Sequence, residues 1–159
     1  MAHTTVHFEL NGQPCQMQGL ASMPLLYALR ERGLCGTRMG CGAGQCGACH
    51  VLIDGRSRPA CDTPLEALSG CRVTTVEGLA QGQAPGVLQQ AFIDEQAAQC
   101  GYCLSGILIS AAELLQRRPS PSEEEVREAL DGHLCRCGSH QRIVRAVLRA
   151  AAAMRQGAA

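Results

Sequence analysis

Lysine is absent from this 159-residue chain, and so is tryptophan. All fixed positive charge sits on fourteen arginines, balanced by fourteen Asp plus Glu, so the formal net charge is zero. A chain with no excess charge has no long-range attraction for nucleic acid or an anionic membrane surface, and neither is expected as a partner. Aromatics are nearly missing, with two Phe and two Tyr. Cores built without large side chains are thin, so an internal staple is expected. No apolar run approaches the roughly 20 residues that cross a bilayer. The opening MAHTTVHFEL lacks the basic start and apolar stretch of an export signal. The reducing cytoplasm is therefore the expected compartment, with periplasmic export beside a signal-bearing partner as the alternative. The sequence also lacks a phosphate loop, a dinucleotide fingerprint and a nucleophile-and-base constellation, so no substrate chemistry is expected on this chain.

What the chain does have is cysteine, eleven of them. An odd count without a signal argues against a disulfide scaffold and for metal or redox use. The stretch GCGAGQCGACHVLIDGRSRPAC, Gly40 to Cys61, sets Cys41, Cys46 and Cys49 at C-x4-C-x2-C, with Cys61 following. That is the plant-type spacing for a [2Fe–2S] cluster. Glycines at 40, 42, 44 and 47 let the backbone turn tightly and aim several N–H groups at the sulfurs, which stabilises a negatively charged centre. Zinc is the competing reading, although zinc sites usually use separated cysteine pairs.

Around this loop the first half reads as mixed strand and helix. Val6, Phe8 and Leu10 alternate with polar residues, Asn11-Gly12 is a hairpin turn, and a return strand runs to Leu20. Ser22 and Pro24 are expected to cap and open a helix carrying Leu25, Leu26 and Leu29, which Gly33 stops. Val51 to Ile53 is a strand with a turn at Asp54-Gly55, and Val73 to Val76 is a last strand. A polar, Gly- and Gln-bearing linker follows. The second half has helical periodicity over Val87–Ala97, Leu104–Arg117 and, after Pro119-Ser120-Pro121, a segment opened by the capping box Ser122/Glu125 and running to Leu130. Ile143, Val144, Val147 and Leu148 mark a final helix, with residues 155–159 expected to fray. The expected architecture is α+β: residues 1–78 as a ferredoxin-like β-grasp domain, 79–84 as linker and 85–159 as a four-helix bundle.

A second cysteine set lies in this helical half. Cys100 and Cys103 precede one predicted helix, and Cys135 and Cys137 precede the last. Thiolates at helix N-termini are favoured electrostatically. C-x2-C with C-x-C is compatible with another [2Fe–2S] cluster; zinc and a dithiol pair remain alternatives on spacing alone.

The two sets together, carried by GCGAGQCGACHVLIDG at 40–55, QCGYC at 99–103 and LCRCGSH at 134–140, resemble the small iron–sulfur subunits of the molybdenum hydroxylases, the xanthine dehydrogenase and aldehyde oxidase family. The resemblance runs from Val6 to about Met154. It implies that Cys41, Cys46, Cys49 and Cys61 hold one cluster and Cys100, Cys103, Cys135 and Cys137 a second. It further implies a large partner subunit carrying a molybdopterin cofactor, with Gln99 and Cys137 approaching the pterin. Electrons would leave singly to a cytochrome c or an FAD subunit. VLQQAFIDEQAAQCGYC is most similar to members acting on N-heteroaromatics such as nicotinate or isoquinoline; an aldehyde is the alternative substrate, and a free-standing ferredoxin-type carrier the alternative role. Leu104-Ser105-Gly106 and Gly138-Ser139-His140 depart from the Thr-Pro-Gly and Thr-Gly-Tyr usual at those places.

Three cysteines fall outside both sets. Cys15 is read as a core residue on a strand, Cys35 as at most a neighbour of the first loop, and Cys71 as a loop residue. Arg38 and Arg136 flank the loops, where positive charge raises a cluster's potential; a solvated arginine without that role is the alternative for each. His50 is read as a strand or loop side chain, His140 as a helix-start residue, and His133 as having no partner that marks it out.

Overall fold

The computed structural model describes residues 2–80, 82 and 84–157. Strands β1 (His3–Leu10) and β2 (Gln13–Leu20) form an antiparallel hairpin in which Leu10 faces Gln13. The two-residue turn between them has positive φ at both Asn11 (52°) and Gly12 (77°). That geometry matches the twist of the strands it joins, and Asn-Gly tolerates it at little cost. Helix α1 (Leu25–Glu31) follows. Ser22 does not cap it: Pro24 occupies the N-cap position with no side-chain hydrogen bond. The first turn is held by tertiary bonds instead, Leu25 N–H to the Thr63 carbonyl and Leu26 N–H to the Ala60 carbonyl. At the other end Gly33 N–H donates to Arg30 and Leu34 N–H to Leu29, the paired bonds of a Schellman stop.

Strands β3 (His50–Ile53) and β4 (Arg56–Pro59) make a second hairpin across Asp54-Gly55. Strand β4 is invisible to periodicity, because Arg-Ser-Arg-Pro carries no apolar alternation. Strand β5 covers only Arg72–Thr74; Val76 opens a 3₁₀ turn, Val76–Leu79, instead of closing the strand. Asn11 accounts for the early end, since its Oδ1 accepts the Thr75 N–H at 2.8 Å and replaces a ladder partner. The five strands lie in the order β2-β1-β5-β3-β4, with β1 and β5 parallel. Leu25, Leu26 and Leu29 of α1 meet Val6, Phe8, Val51 and Val73 from the sheet in one apolar core.

The remaining chain is helical: α2 (Val87–Asp94), α3 (Leu104–Arg117), α4 (Glu123–Leu130) and α5 (His140–Gly157). Helix α2 stops three residues earlier than its periodicity implies. Gln96 takes a positive φ of 48°, and Ala97 N–H returns to the Phe92 carbonyl. The capping box on α4 is present, with Glu125 N–H on Ser122 Oγ at 3.1 Å and Ser122 N–H on Glu125 Oε2 at 2.8 Å. Helix α5 continues through Gly157, so the fraying expected from residue 155 does not begin there; residues 158 and 159, like 81 and 83 of the expected linker, lie outside the described residues. Phe92, Ile107, Val126 and Val147, one from each helix, share a second core. Among the described residues no helix is long and apolar enough to cross a membrane.

Helix α3 is buried on every side from Ser105 to Ala111. One face joins the helical core. The other, with Gly106, Ser110 and Glu113, meets the β3–β4 hairpin, where Ser57 N–H donates to Glu113 Oε2 at 2.9 Å. Sheet and helices are thus joined through a shared helix.

Helices α2 and α5 are pinned at the surface by Glu95, which pairs with Arg145 at 3.3 Å and Arg149 at 3.2 Å. Hydrogen bonds from Arg149 and then Arg145 hold its carboxyl below the usual value of 4.5. A lowered folded-state pKa means stabilisation present above about 4.5 and lost as pH falls through the lower native value. Glu95→Gln is therefore expected to melt lower than the native chain at pH 7, with the two melting temperatures converging in acid. A gap that does not narrow as pH is lowered below 4.5 in circular dichroism melts would contradict the pairing.

Candidate metal centres

The first cysteine set is assembled by two local structures. The hairpin register places His50 opposite Pro59, and the next rung is Ala60 N–H to the Cys49 carbonyl at 3.1 Å. Cys61 is thereby returned to Cys49 across twelve residues. The glycine loop supplies the other two. Positive φ at Gly42 (68°), Gly44 (69°) and Gly47 (76°) coils the backbone so that its N–H groups face inward. Ala43 and Gln45 donate to Cys41 Sγ at 3.4 and 3.3 Å, Gly44 to Cys61 Sγ at 3.3 Å, and Cys41 to Cys46 Sγ at 3.3 Å. Gly40 has no room for a side chain, since a Cβ there would collide with Cys46 Sγ.

These donors act on the thiols. The backbone N–H groups of Ala43, Gln45 and Cys46 lower the exposed Cys41 thiol to about 6. Burial pushes Cys49 the other way, to about 12, against the Cys61 backbone. Cys46 bears on the Cys41 thiol, and Cys61 and Cys46 both bear on the Cys49 thiol, so the four act on one another as a group.

The second set follows the same plan. Cys100 is lowered by the Tyr102 N–H and then by the Cys137 side chain. Burial raises Cys103 to about 12, with the Cys135 side chain adding to it. Burial also acts upward on Cys135, but the Ser139 hydroxyl and the Cys103 side chain outweigh it and leave the thiol at about 7. Here too the thiols act on one another as a group, Cys137 and Cys135 on Cys100, and Cys135 and Cys100 on Cys103. Among the described residues no three His, Cys, Asp or Glu are drawn in tightly enough to hold a single ion. Four thiols with backbone N–H donors turned toward their sulfurs suit a two-iron core, and a buried thiol that resists ionising gives up its proton only to a strongly positive centre. The residues present fit a [2Fe–2S] group in both places.

The two sets open onto one cleft of about 340 Å³, lined by Cys41, Cys46, Cys100, Cys103, Tyr102, Leu134 and Arg136 among others. Leu134 N–H donates to the Cys46 carbonyl at 3.1 Å, joining the two cysteine-bearing segments by a single backbone bond. Tyr102 reaches across from the second set to donate its hydroxyl to the Met39 carbonyl. Gln99 is exposed beside Cys100, and Arg136 is exposed at the cleft mouth. Arg38 is exposed on the first loop.

Of the other cysteines, Cys15 is half-buried against the sheet core, Cys35 is exposed, and Cys71 is half-buried with its thiol toward the Ala67 carbonyl at 3.6 Å. His140 is the first residue of α5. His133, which its sequence neighbours leave unmarked, is 7% exposed and has two partners. Its Nε2 lies 2.7 Å from Ser110 Oγ, and its ring stands edge-on to His50 at 4.9 Å. Burial lowers the pKa of both rings, His133 to about 4. No spacing signal announces this cluster; the one hint is the run of small or polar residues at 106, 110 and 113 of α3.

Fold and thiol geometry together define an α+β iron–sulfur protein. A [2Fe-2S] binding domain family matches residues 75–148. The chain is 50% identical to a nicotinate dehydrogenase subunit of Pseudomonas putida, over 96% of this chain and 98% of that one. It is 49% identical to the alpha subunit of isoquinoline 1-oxidoreductase from Brevundimonas diminuta, over 92% and 97%. Among solved structures, quinoline 2-oxidoreductase from Pseudomonas putida 86 superposes with a TM-score of 0.92 at 40% identity, covering 98% of both chains. Aldehyde oxidoreductase from Desulfovibrio gigas gives 0.92 at 35% identity, with 97% of this chain matching 17% of that one. The chain belongs to the family of small iron–sulfur subunits of the molybdenum hydroxylases.

Proposed function

We propose that this chain is the electron-transfer subunit of a molybdenum hydroxylase, carrying electrons from a molybdopterin site on a large partner subunit to an external acceptor. The observation that carries the reading is that cysteines of both sets, Cys41 and Cys46 of the first and Cys100 and Cys103 of the second, line one cleft. Cys41, Cys46, Cys49 and Cys61 are assigned as ligands in the ferredoxin-like domain, residues 1–78. Cys100, Cys103, Cys135 and Cys137 are assigned in the four-helix domain, residues 85–159. When bound, a [2Fe–2S] cluster supplies one-electron redox chemistry. The chain's own residues hold the thiolates, aim N–H donors at them and exclude water from the buried side of each loop.

Gln99 and Cys137 are assigned to the pterin side. Gln99 is exposed and adjoins the second set, which supports an approach by a partner there. Relatives named for nicotinate, isoquinoline, nicotine and quinoline support an N-heteroaromatic substrate. A cytochrome c or an FAD subunit is the proposed acceptor, in the cytoplasm or, by export with a partner, the periplasm.

The test is anaerobic purification of the native complex, followed by iron, sulfide and molybdenum analysis. A large molybdenum-bearing chain is expected to co-elute with this one, with about four irons for each copy of it. Elution at the mass of the single chain, with iron present, would support a diffusing ferredoxin-type carrier instead.

A further inference from the structure

Between the hairpin and α3 runs a row of four hydrogen-bonded side chains that ligation does not use. His50 Nδ1 lies 2.7 Å from Ser57 Oγ, Ser57 Oγ 2.7 Å from Ser110 Oγ, and Ser110 Oγ 2.7 Å from His133 Nε2. Three contacts need three protons. The two hydroxyls supply at most two, so at least one terminal imidazole donates. His133 Nδ1 is buried beside the Gly47 backbone without a hydrogen-bond partner.

The ends of this row have meaning. His50 follows Cys49 directly, and His133 stands two residues before Cys135. The ring of His133 sits where a side chain on Gly47 would be, so it also rests on the loop between Cys46 and Cys49. We propose that His133 is a positioning residue: through Ser110 and Ser57 it braces the segment bearing Cys135 and Cys137 against the segment bearing Cys46 and Cys49, fixing the gap an electron must cross. Electron transfer between centres falls off steeply with their separation, so a brace across that gap governs the rate without touching either centre. Burial of both Ser110 and His133 supports a rigid brace, because a buried polar group that loses its partner is left unsatisfied. This inference rests on the reading that each set holds a cluster.

The experiment compares Ser110→Ala, Ser57→Ala, His133→Ala and His133→Gln in the full chain, purified with its native partner. Three readouts are taken: iron content, the magnetic splitting between the two reduced centres by EPR, and hydrogen exchange at the Leu134 amide. Ser110→Ala removes one oxygen from the middle of the row. It is expected to keep its iron, to exchange the Leu134 amide about tenfold faster, and to change the splitting. His133→Ala is expected to change both in the same way, and His133→Gln, whose side-chain amide reaches the Nε2 position, to keep both native. Native exchange and native splitting in Ser110→Ala and Ser57→Ala would overturn the brace. So would iron loss confined to His133→Ala with both serine variants native, since the ring would then serve only its own loop. A native protein without iron would defeat the cluster reading, while the exchange measurement would still judge the brace.

Discussion

Serine in place of Cys46 is expected to abolish one of the two EPR signals of the reduced protein and to halve its iron, leaving the other signal in place. Cys46 Sγ accepts the Cys41 N–H and is paired with the Cys41 thiol, so its loss opens the more exposed half of the first site. A hydroxyl does not ionise near neutral pH as that neighbouring thiol does, and it offers iron a poorer donor. The bond that Cys46 makes to the second segment is through its backbone carbonyl to Leu134 N–H, and that bond survives the substitution. The helical half has its own core and its own set of thiols, so its signal is expected to persist. Loss of both signals would mean that the two halves assemble only together. Retention of both would remove Cys46 from the ligand set.

Alanine at Gly106 is expected to have the second large effect, on stability. Gly106 lies on the face of α3 that rests on the first cysteine loop, and a Cβ there would overlap the Gly47 carbonyl. The obstacle is backbone in a loop already coiled through a φ of 76°, so no rotamer change relieves it. Either the helix lifts or the loop uncoils. Overpacking of this kind costs about 1–3 kcal/mol, which for a chain of this length lowers the melting temperature by several degrees, roughly 2–4 °C per kcal/mol. Helix propensity acts the other way, since alanine in a helix interior gains about 1 kcal/mol over glycine, so an unchanged or raised melting temperature would show that the helix and loop can part without cost. The neighbouring bond from Ser105 Oγ to the Ala48 carbonyl, 3.2 Å, is expected to break in the same variant.

Some of this was legible in one dimension because the determining physics is local. Asn11-Gly12 and Asp54-Gly55 are turn sequences whose backbone preference does not depend on what surrounds them, and both turns formed with positive φ. The Ser122/Glu125 capping box is closed within four residues. Apolar periodicity gave α3 its bounds, because that helix carries an unbroken stripe for fourteen residues. Where the outcome depended on distant partners, local reading failed. Ser22 was a reasonable cap, but α1 is started by Thr63 and Ala60 carbonyls from another part of the chain. Strand β4 has no apolar alternation and exists because β3 offers it a register. The strand at Val73 ends two residues early because Asn11, 64 positions away, takes the Thr75 N–H.

The cysteine spacing by itself determined which thiols are available and in what order, together with the family, since a tightly coiled loop leaves its trace in the glycines between the cysteines. The tertiary structure alone decided that cysteines of both sets line one cleft and that His133 meets His50. Those are contacts between segments far apart in sequence, set by the packing of α3 against a hairpin, and no short-range pattern encodes a distance of that kind.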